Sequence, residues 1–244
     1  MKPYLTFLFL LLVLGCFAQE LPFRADTIRI KSAILDEARS VVVYQSVSKG
    51  EADNVKFLYL LDGEYSGYRV EKLYEQFKDS VSDFIIVGII NTDRRRDLLY
   101  AFGANNFLEF ITTELIPAVE KGYNVKRRIL FGHSFAGSFT LYAMINQPTV
   151  FTGYIASSPT PIMDLIDPAK YTRLDSVLKS ETPFFFSCGS KDMAQVRKWT
   201  GRLKNNLTGI QFKHLNWRSV VFEGKTHNNS DIDALIKGMY FIEY

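Results

Sequence analysis

The chain alternates short, continuously apolar runs with longer stretches whose apolar residues recur at helical spacing. Phe57–Leu61, Phe84–Ile90, Ile129–Gly132, Gly153–Ala156, Pro183–Cys188 and Ser219–Phe222 are runs of the first kind. Strands of this composition are buried on both faces. Tyr68–Phe77, Asn106–Val119, Met193–Leu207 and Asp231–Ile242 are stretches of the second kind, and Pro117 is expected to kink the second of them. Two β-rich segments, Thr27–Leu35 and Arg39–Val47, flank a short polar turn and predict an antiparallel opening hairpin. Together the pattern predicts an α/β fold with an eight-stranded, mostly parallel sheet and helices on both faces. Active sites of such sheets lie at the carboxyl ends of the strands. Asp62, Asn91, Ser134, Ser158, Gly189 and Glu223 fall there. The segment from Thr160 to Thr182 has mixed helical character and is a candidate cap over that edge.

With 244 residues, 47% of them hydrophobic, the chain is large enough for one substantial core. No repeat, low-complexity tract or linker divides it. A formal charge of +3, from 29 basic and 26 acidic residues, is too even to argue for a nucleic-acid partner. The densest basic run, Arg94-Arg95-Arg96, is followed at once by Asp97, which reads as a solvated or paired cluster. At the N-terminus, Met1-Lys2-Pro3 precedes an apolar stretch from Tyr4 to Val13 and then small residues, the layout of a secretory signal peptide over residues 1–19. The remaining 20–244 are expected to form a single domain. Cleavage after Ala18 gives an exported, periplasmic or secreted protein. Val13-Leu14-Gly15-Cys16 also resembles a bacterial lipobox, which would leave a lipid anchor on Cys16. Leu14 departs from that motif, which favours simple export. An uncleaved anchor helix is a third reading, against which the short apolar stretch argues. Cys16 and Cys188 are the two cysteines, so the mature chain has no internal disulfide, and Cys188 reads as a buried apolar residue.

Candidate chemistry centres on Gly132-His133-Ser134-Phe135-Ala136-Gly137, between an apolar run and a helix-like stretch. A serine flanked by small residues at a strand-to-helix turn is a nucleophile elbow. The turn is tight enough to require small residues two before and two after, here Gly132 and Ala136. A serine hydroxyl needs a base, and the base needs an orienting partner. Of the three histidines, His133 should point away across the elbow and His214 lies in a strand approach. His227, in the loop after the last strand, stands where such a fold places its base. Asp164, Asp167, Asp175, Glu181, Asp192 and Glu223 lie between serine and histidine, and only Asp192 directly follows a buried strand. Helix capping is the alternative role for Asp192. The backbone N–H groups of Phe135 and Glu64 are the expected oxyanion donors. Asp62 and Gly63 would bring backbone close to a substrate.

These segments resemble the "putative esterase" family of α/β-hydrolases, which includes enterochelin esterases and esterase D-like enzymes. Tyr59-Leu60-Leu61-Asp62-Gly63-Glu64, Asn91-Thr92-Asp93-Arg94-Arg95-Arg96-Asp97-Leu98, the elbow, Ile155-Ala156-Ser157-Ser158-Pro159, Gly189-Ser190-Lys191-Asp192 and the histidine loop carry the likeness. The resemblance implies an α/β-hydrolase fold, a Ser134–Asp192–His227 triad, and Asn91, Arg94 and Asp97 lining or bracing the site. A salt bridge that holds the loop is the other role open to Arg94 and Asp97. Leu99-Tyr100 and Thr160-Pro161-Ile162-Met163 depart from the family pattern and change the expected pocket wall. The expected activity is a serine carboxylic-ester hydrolase acting on a small-molecule ester through an acyl-enzyme. Neither metal nor organic cofactor is required by that chemistry. Acyl transfer by the same residues and a non-catalytic accessory role are the alternatives.

Overall fold

A computed structural model describes residues 23–46 and 53–243. The signal-peptide and lipobox segments and Cys16 lie outside the described residues. The chain opens with β1 (Phe23–Ser32) and β2 (Glu37–Ser46), paired antiparallel. The hairpin sits earlier than the pattern predicts, because the turn starts at Ala33 and closes at Asp36, which adopts a left-handed φ of 50°. There follow β3 (Val55–Leu61), α1 (Ser66–Phe77), β4 (Phe84–Ile89), α2 (Arg94–Leu98) and α3 (Ala104–Phe110). A π-helical turn, Ile111–Leu115, joins α3 to α4 (Ile116–Val119). The helix thus absorbs Pro117 by widening one turn before it, where a missing N–H would otherwise break the ladder. The second half runs β5 (Val125–His133), α5 (Phe135–Asn146), β6 (Gly153–Ser157), α6 (Pro168–Val177), β7 (Thr182–Gly189), α7 (Ala194–Thr208), β8 (Leu215–Phe222) and α8 (Asp231–Glu243).

The eight strands form one sheet in the order β1-β2-β4-β3-β5-β6-β7-β8, parallel from β4 to β8. The α/β-hydrolase sheet read from the sequence is therefore present. Its strands separate two cores by their two-residue period. In β3, Phe57, Tyr59 and Leu61 join Phe107, Phe139 and Leu203 on one face. Leu58 and Leu60 join Val70 and Leu73 of α1 and Leu235 and Met239 of α8 on the other.

Two elements differ from expectation. Helix α2 is not visible as a periodic stretch, because charged residues make most of it. Its start is fixed instead by Asp93, whose side chain accepts from the N–H groups of Arg95 and Arg96. The 160–182 segment folds as α6 and a preceding turn, with Tyr171 and Leu174 buried in the core shared with α5 and α7. None of its residues lines the main cavity.

Candidate active site

The elbow is built by close backbone approach. Strand β5 ends at His133, Ser134 takes φ 61° and ψ −119°, and α5 begins at Phe135. A Cβ on Gly132 would lie 2.1 Å from the carbonyl oxygen of Ala136, so only glycine fits there. Ser134 N–H donates to the Ser157 carbonyl at 2.9 Å, which ties the elbow to β6. Two more non-glycine residues with positive φ stand at neighbouring strand ends, Asp62 (53°) after β3 and Ser158 (43°) after β6. Such conformations are costly and persist where the surroundings over-determine them.

The three residues expected to act together are brought together. His227 Nε2 is 2.9 Å from Ser134 Oγ, and His227 Nδ1 is 2.9 Å from Asp192 Oδ1. With the proton on Nδ1, the ring donates to Asp192 and accepts from the serine hydroxyl. Asp192 is 4% exposed. Its Oδ1 also accepts from Met193 N–H at 2.7 Å, and its Oδ2 accepts from Ser158 Oγ at 2.6 Å. Ser158 Oγ lies 3.1 Å from the buried Ser230 Oγ. Asp192 thus bonds the N–H of the next residue, but α7 starts after Met193 and takes no side-chain cap, so Asp192 does not cap that helix. His227 opens a short 3₁₀ turn fixed by reciprocal Thr226 and Asn229 bonds. The loops of acid and base are tied to each other. Lys191 N–H donates to the Lys225 carbonyl, and a Cβ on Gly189 would meet that oxygen at 2.1 Å.

His133 requires a correction. It does not point away across the elbow: its ring lies 4.9 Å from the His227 ring and lines the same cavity. Its Nδ1 is 3.0 Å from Ser157 Oγ. Burial, reinforced by the neighbouring His227 and Arg69, pushes it down to about 3, so it is a neutral wall. His214 stands just before β8, and its backbone N–H donates to Asp175.

A cavity of about 620 Å³ opens above Ser134, lined by Asp62, Glu64, Tyr65, Tyr68, Arg69 and Arg94 on one wall and by the histidines, Asn228 and Asp231 on the other. Arg94 makes a bidentate pair with Asp62, at 2.7 and 2.8 Å, and lies over the Phe135 ring. Asn91 Nδ2 donates to the same carboxylate at 2.8 Å, and Asn91 N–H donates to the Glu64 side chain. Of the expected substrate-binding residues, Asp62 and Arg94 reach the cavity; Gly63, Asn91 and Asp97 do not. Gly63 instead packs on the backbone of β4. Asp97 is 1% exposed and holds Arg39, itself fully buried, at 2.6 Å. Arg94 and Asp97 are therefore not partners of each other. Arg39 also donates to Glu37, Thr92 and the Ile90 carbonyl, fixing the loop that carries Arg94. Phe135 begins α5, and the first N–H groups of a helix have no intrahelical acceptor. Glu64 lies in the 3₁₀ turn after β3.

The sequence reading missed Tyr65, Tyr68, Arg69, Asn228 and Asp231 on the wall, and Ser230 and Arg39 behind it. Ser158 it placed at the site edge, without assigning it a partner. Among the described residues, no three His, Cys, Asp or Glu side chains stand close enough to hold a metal ion, and no helix is long and apolar enough to cross a membrane.

A family model described as "Putative esterase" matches residues 32–204. Ferri-bacillibactin esterase BesA of Bacillus subtilis is 42% identical over 60 residues, 24% of this chain and 21% of that protein. Siderophore triacetylfusarinine C esterase of Aspergillus fumigatus is 41% identical over 61 residues, again 24% of this chain and 21% of that protein. The matched segment thus spans about a fifth of each curated relative's length. Among solved structures, the BES protein from Bacillus cereus superposes with a TM-score of 0.80 at 23% identity, over 90% of this chain and 95% of that one. At that identity the likeness speaks to the fold.

Proposed function

We propose, from the premise that this chain belongs to the "Putative esterase" family, that it is a serine hydrolase of carboxylic esters. The observation that carries the reading is the unbroken chain from Ser134 Oγ through His227 to Asp192, with both links at 2.9 Å. Ser134 Oγ attacks the ester carbonyl carbon while its proton passes to His227 Nε2. Asp192 holds the ring in the tautomer that accepts that proton and stabilises the imidazolium that forms. The carbonyl oxygen, now an alkoxide, takes hydrogen bonds from the Phe135 and Glu64 N–H groups. Collapse re-forms the C=O and breaks the bond to the alcohol, which leaves with the proton from His227. Water repeats the sequence on the acyl-enzyme, releasing the acid and restoring Ser134.

The relatives named above are siderophore esterases, and we extend that substrate class to this chain. The wide cavity fits a bulky ester held outside the elbow. An ester panel on purified protein tests the reading, with p-nitrophenyl acetate as the simple member and siderophore lactones as the bulky ones. Turnover is expected and Ser134→Ala abolishes it; full activity in that variant rejects the mechanism.

A further inference from the structure

We propose that a groove beside the triad loops is a second binding site, for a small oxyanion such as phosphate or a carboxylate. The groove holds about 260 Å³ and lies between the edge strand β8 and helix α7, sharing no residue with the catalytic cavity. Arg197, Thr200, Gly201 and Lys204 form its helical wall, one stripe of α7 by their spacing. Ser219 and Val221 of β8, with Cys188 and Ser190 at the end of β7, form the other.

Its chemistry is one-sided. Two cations and three hydroxyls face it, and among the described residues no acidic side chain lines it. Neither Arg197 nor Lys204 forms an ion pair with a described carboxylate, whereas Arg39, Arg94, Arg96 and Arg128 all do. Arg197 spends only its Nε, on the Asp192 carbonyl oxygen at 3.1 Å, which leaves the rest of its donor fork available. Thr200 is 2% exposed and stands beside Cys188 at the groove floor, its hydroxyl turned away from solvent. Gly201 removes a side chain from the middle of the stripe: a Cβ there would meet nothing within 4 Å, so the opening is not backbone packing. Cys188 contributes an apolar floor, since burial pushes its thiol up and away from thiolate chemistry.

The groove also touches both halves of the triad support. Arg197 holds the backbone of Asp192, and Ser190 Oγ accepts from the Gly224 N–H in the loop leading to His227. A ligand there contacts Ser190 in the loop of Asp192, and Ser190 in turn holds the loop of His227.

The test is a titration of the isotope-labelled, folded protein with sodium phosphate and, separately, sodium acetate, read by backbone amide shifts. Sodium chloride at matched ionic strength is the control. The proposal predicts saturable shifts at Ser190, Thr200, Gly201 and Gly224 with at least one of the two anions, and which one saturates names the ligand type. Lys204→Gln, an exposed change checked by its melting temperature, weakens that binding about tenfold through loss of one charge-assisted bond. Shifts that do not saturate, that chloride reproduces, or that persist unchanged in Lys204→Gln overturn it. The readout needs no turnover, so it stands apart from the esterase reading.

Discussion

The two walls of the cavity are held by different physics. On the Ser134 side, a chain of directional hydrogen bonds runs from Ser134 through His227, Asp192 and Ser158 to Ser230, with one formal charge in it. On the Asp62 side, the support is ionic: Arg39, Glu37, Asp97 and Arg96 form one cluster, and Arg94 and Asp62 form the pair it braces. On the proposed mechanism the first wall has to move a proton, which requires aligned donors and acceptors and a ring free to change its charge. The second has to stay still, and its buried Arg39–Asp97 pair does that well because breaking it leaves an uncompensated charge. Chemistry and rigidity are thus divided between the walls.

Removing members of the first wall should have the largest effect, on rate and not on folding. His227→Ala and Asp192→Asn are each expected to lower kcat about ten-thousandfold, with the melting temperature nearly unchanged. Steady-state kinetics and a thermal melt on the same samples check both halves. The second wall should behave in reverse. Asp97→Ala strands the fully buried Arg39 and is expected to cost about 3–5 kcal/mol of stability by urea unfolding. The protein that remains folded should lose ester affinity before it loses kcat. A collapse of kcat with normal stability would show that this wall takes part in the chemistry.

Ser158→Ala probes the join between rate and support. It removes the 2.6 Å bond to Asp192 Oδ2 and should lower kcat/KM about tenfold. The loss should fall on kcat and leave KM nearly unchanged, whereas a merely structural role would show as a lowered melting temperature.

The smallest effects concern pH and stability. His133 lies at about 3 in the fold against 6.5 in the open chain, so as pH falls the unfolded chain takes up its proton first. Its contribution to stability is therefore lost between about pH 6.5 and 3. Glu37 is held at about 2 against 4.5, mainly by the Arg96 hydrogen bond against the opposing cost of burial. Its contribution is present above 4.5 and lost as pH drops towards 2. His133→Gln should flatten the upper part of the urea-midpoint curve and Glu37→Gln the lower part. Parallel curves for both variants and the parent protein would contradict these assignments.

The first wall was largely legible in the sequence and the second was not. The elbow is written in six consecutive residues, because a tight turn constrains its neighbours by size. The grouping of His227 and Asp192 with Ser134 followed from chain order and strand ends. Arg39 gave no such signal: its partners Thr92 and Asp97 lie 53 and 58 positions away, and an arginine in a β-rich stretch reads as a solvent-facing residue. Asp97 was placed near the site by its motif, yet motif spacing does not say whether a carboxylate faces a cavity or a buried arginine. His133 was misdirected for a related reason, since alternation along β5 ends at the elbow and the ring turns towards His227. Tyr65 and Tyr68 line the cavity only because α1 starts beside the end of β3, a packing relation with no trace in hydrophobic period.

Covalent trapping of Ser134 tests the central claim most directly. Intact-mass and peptide analysis after treatment with diisopropyl fluorophosphate should find one adduct per chain, on Ser134. Formation of that adduct should be lost in Ser134→Ala and strongly slowed in His227→Ala. An unmodified Ser134 in protein that turns over esters, or an adduct that forms at the same rate without His227, would contradict the account.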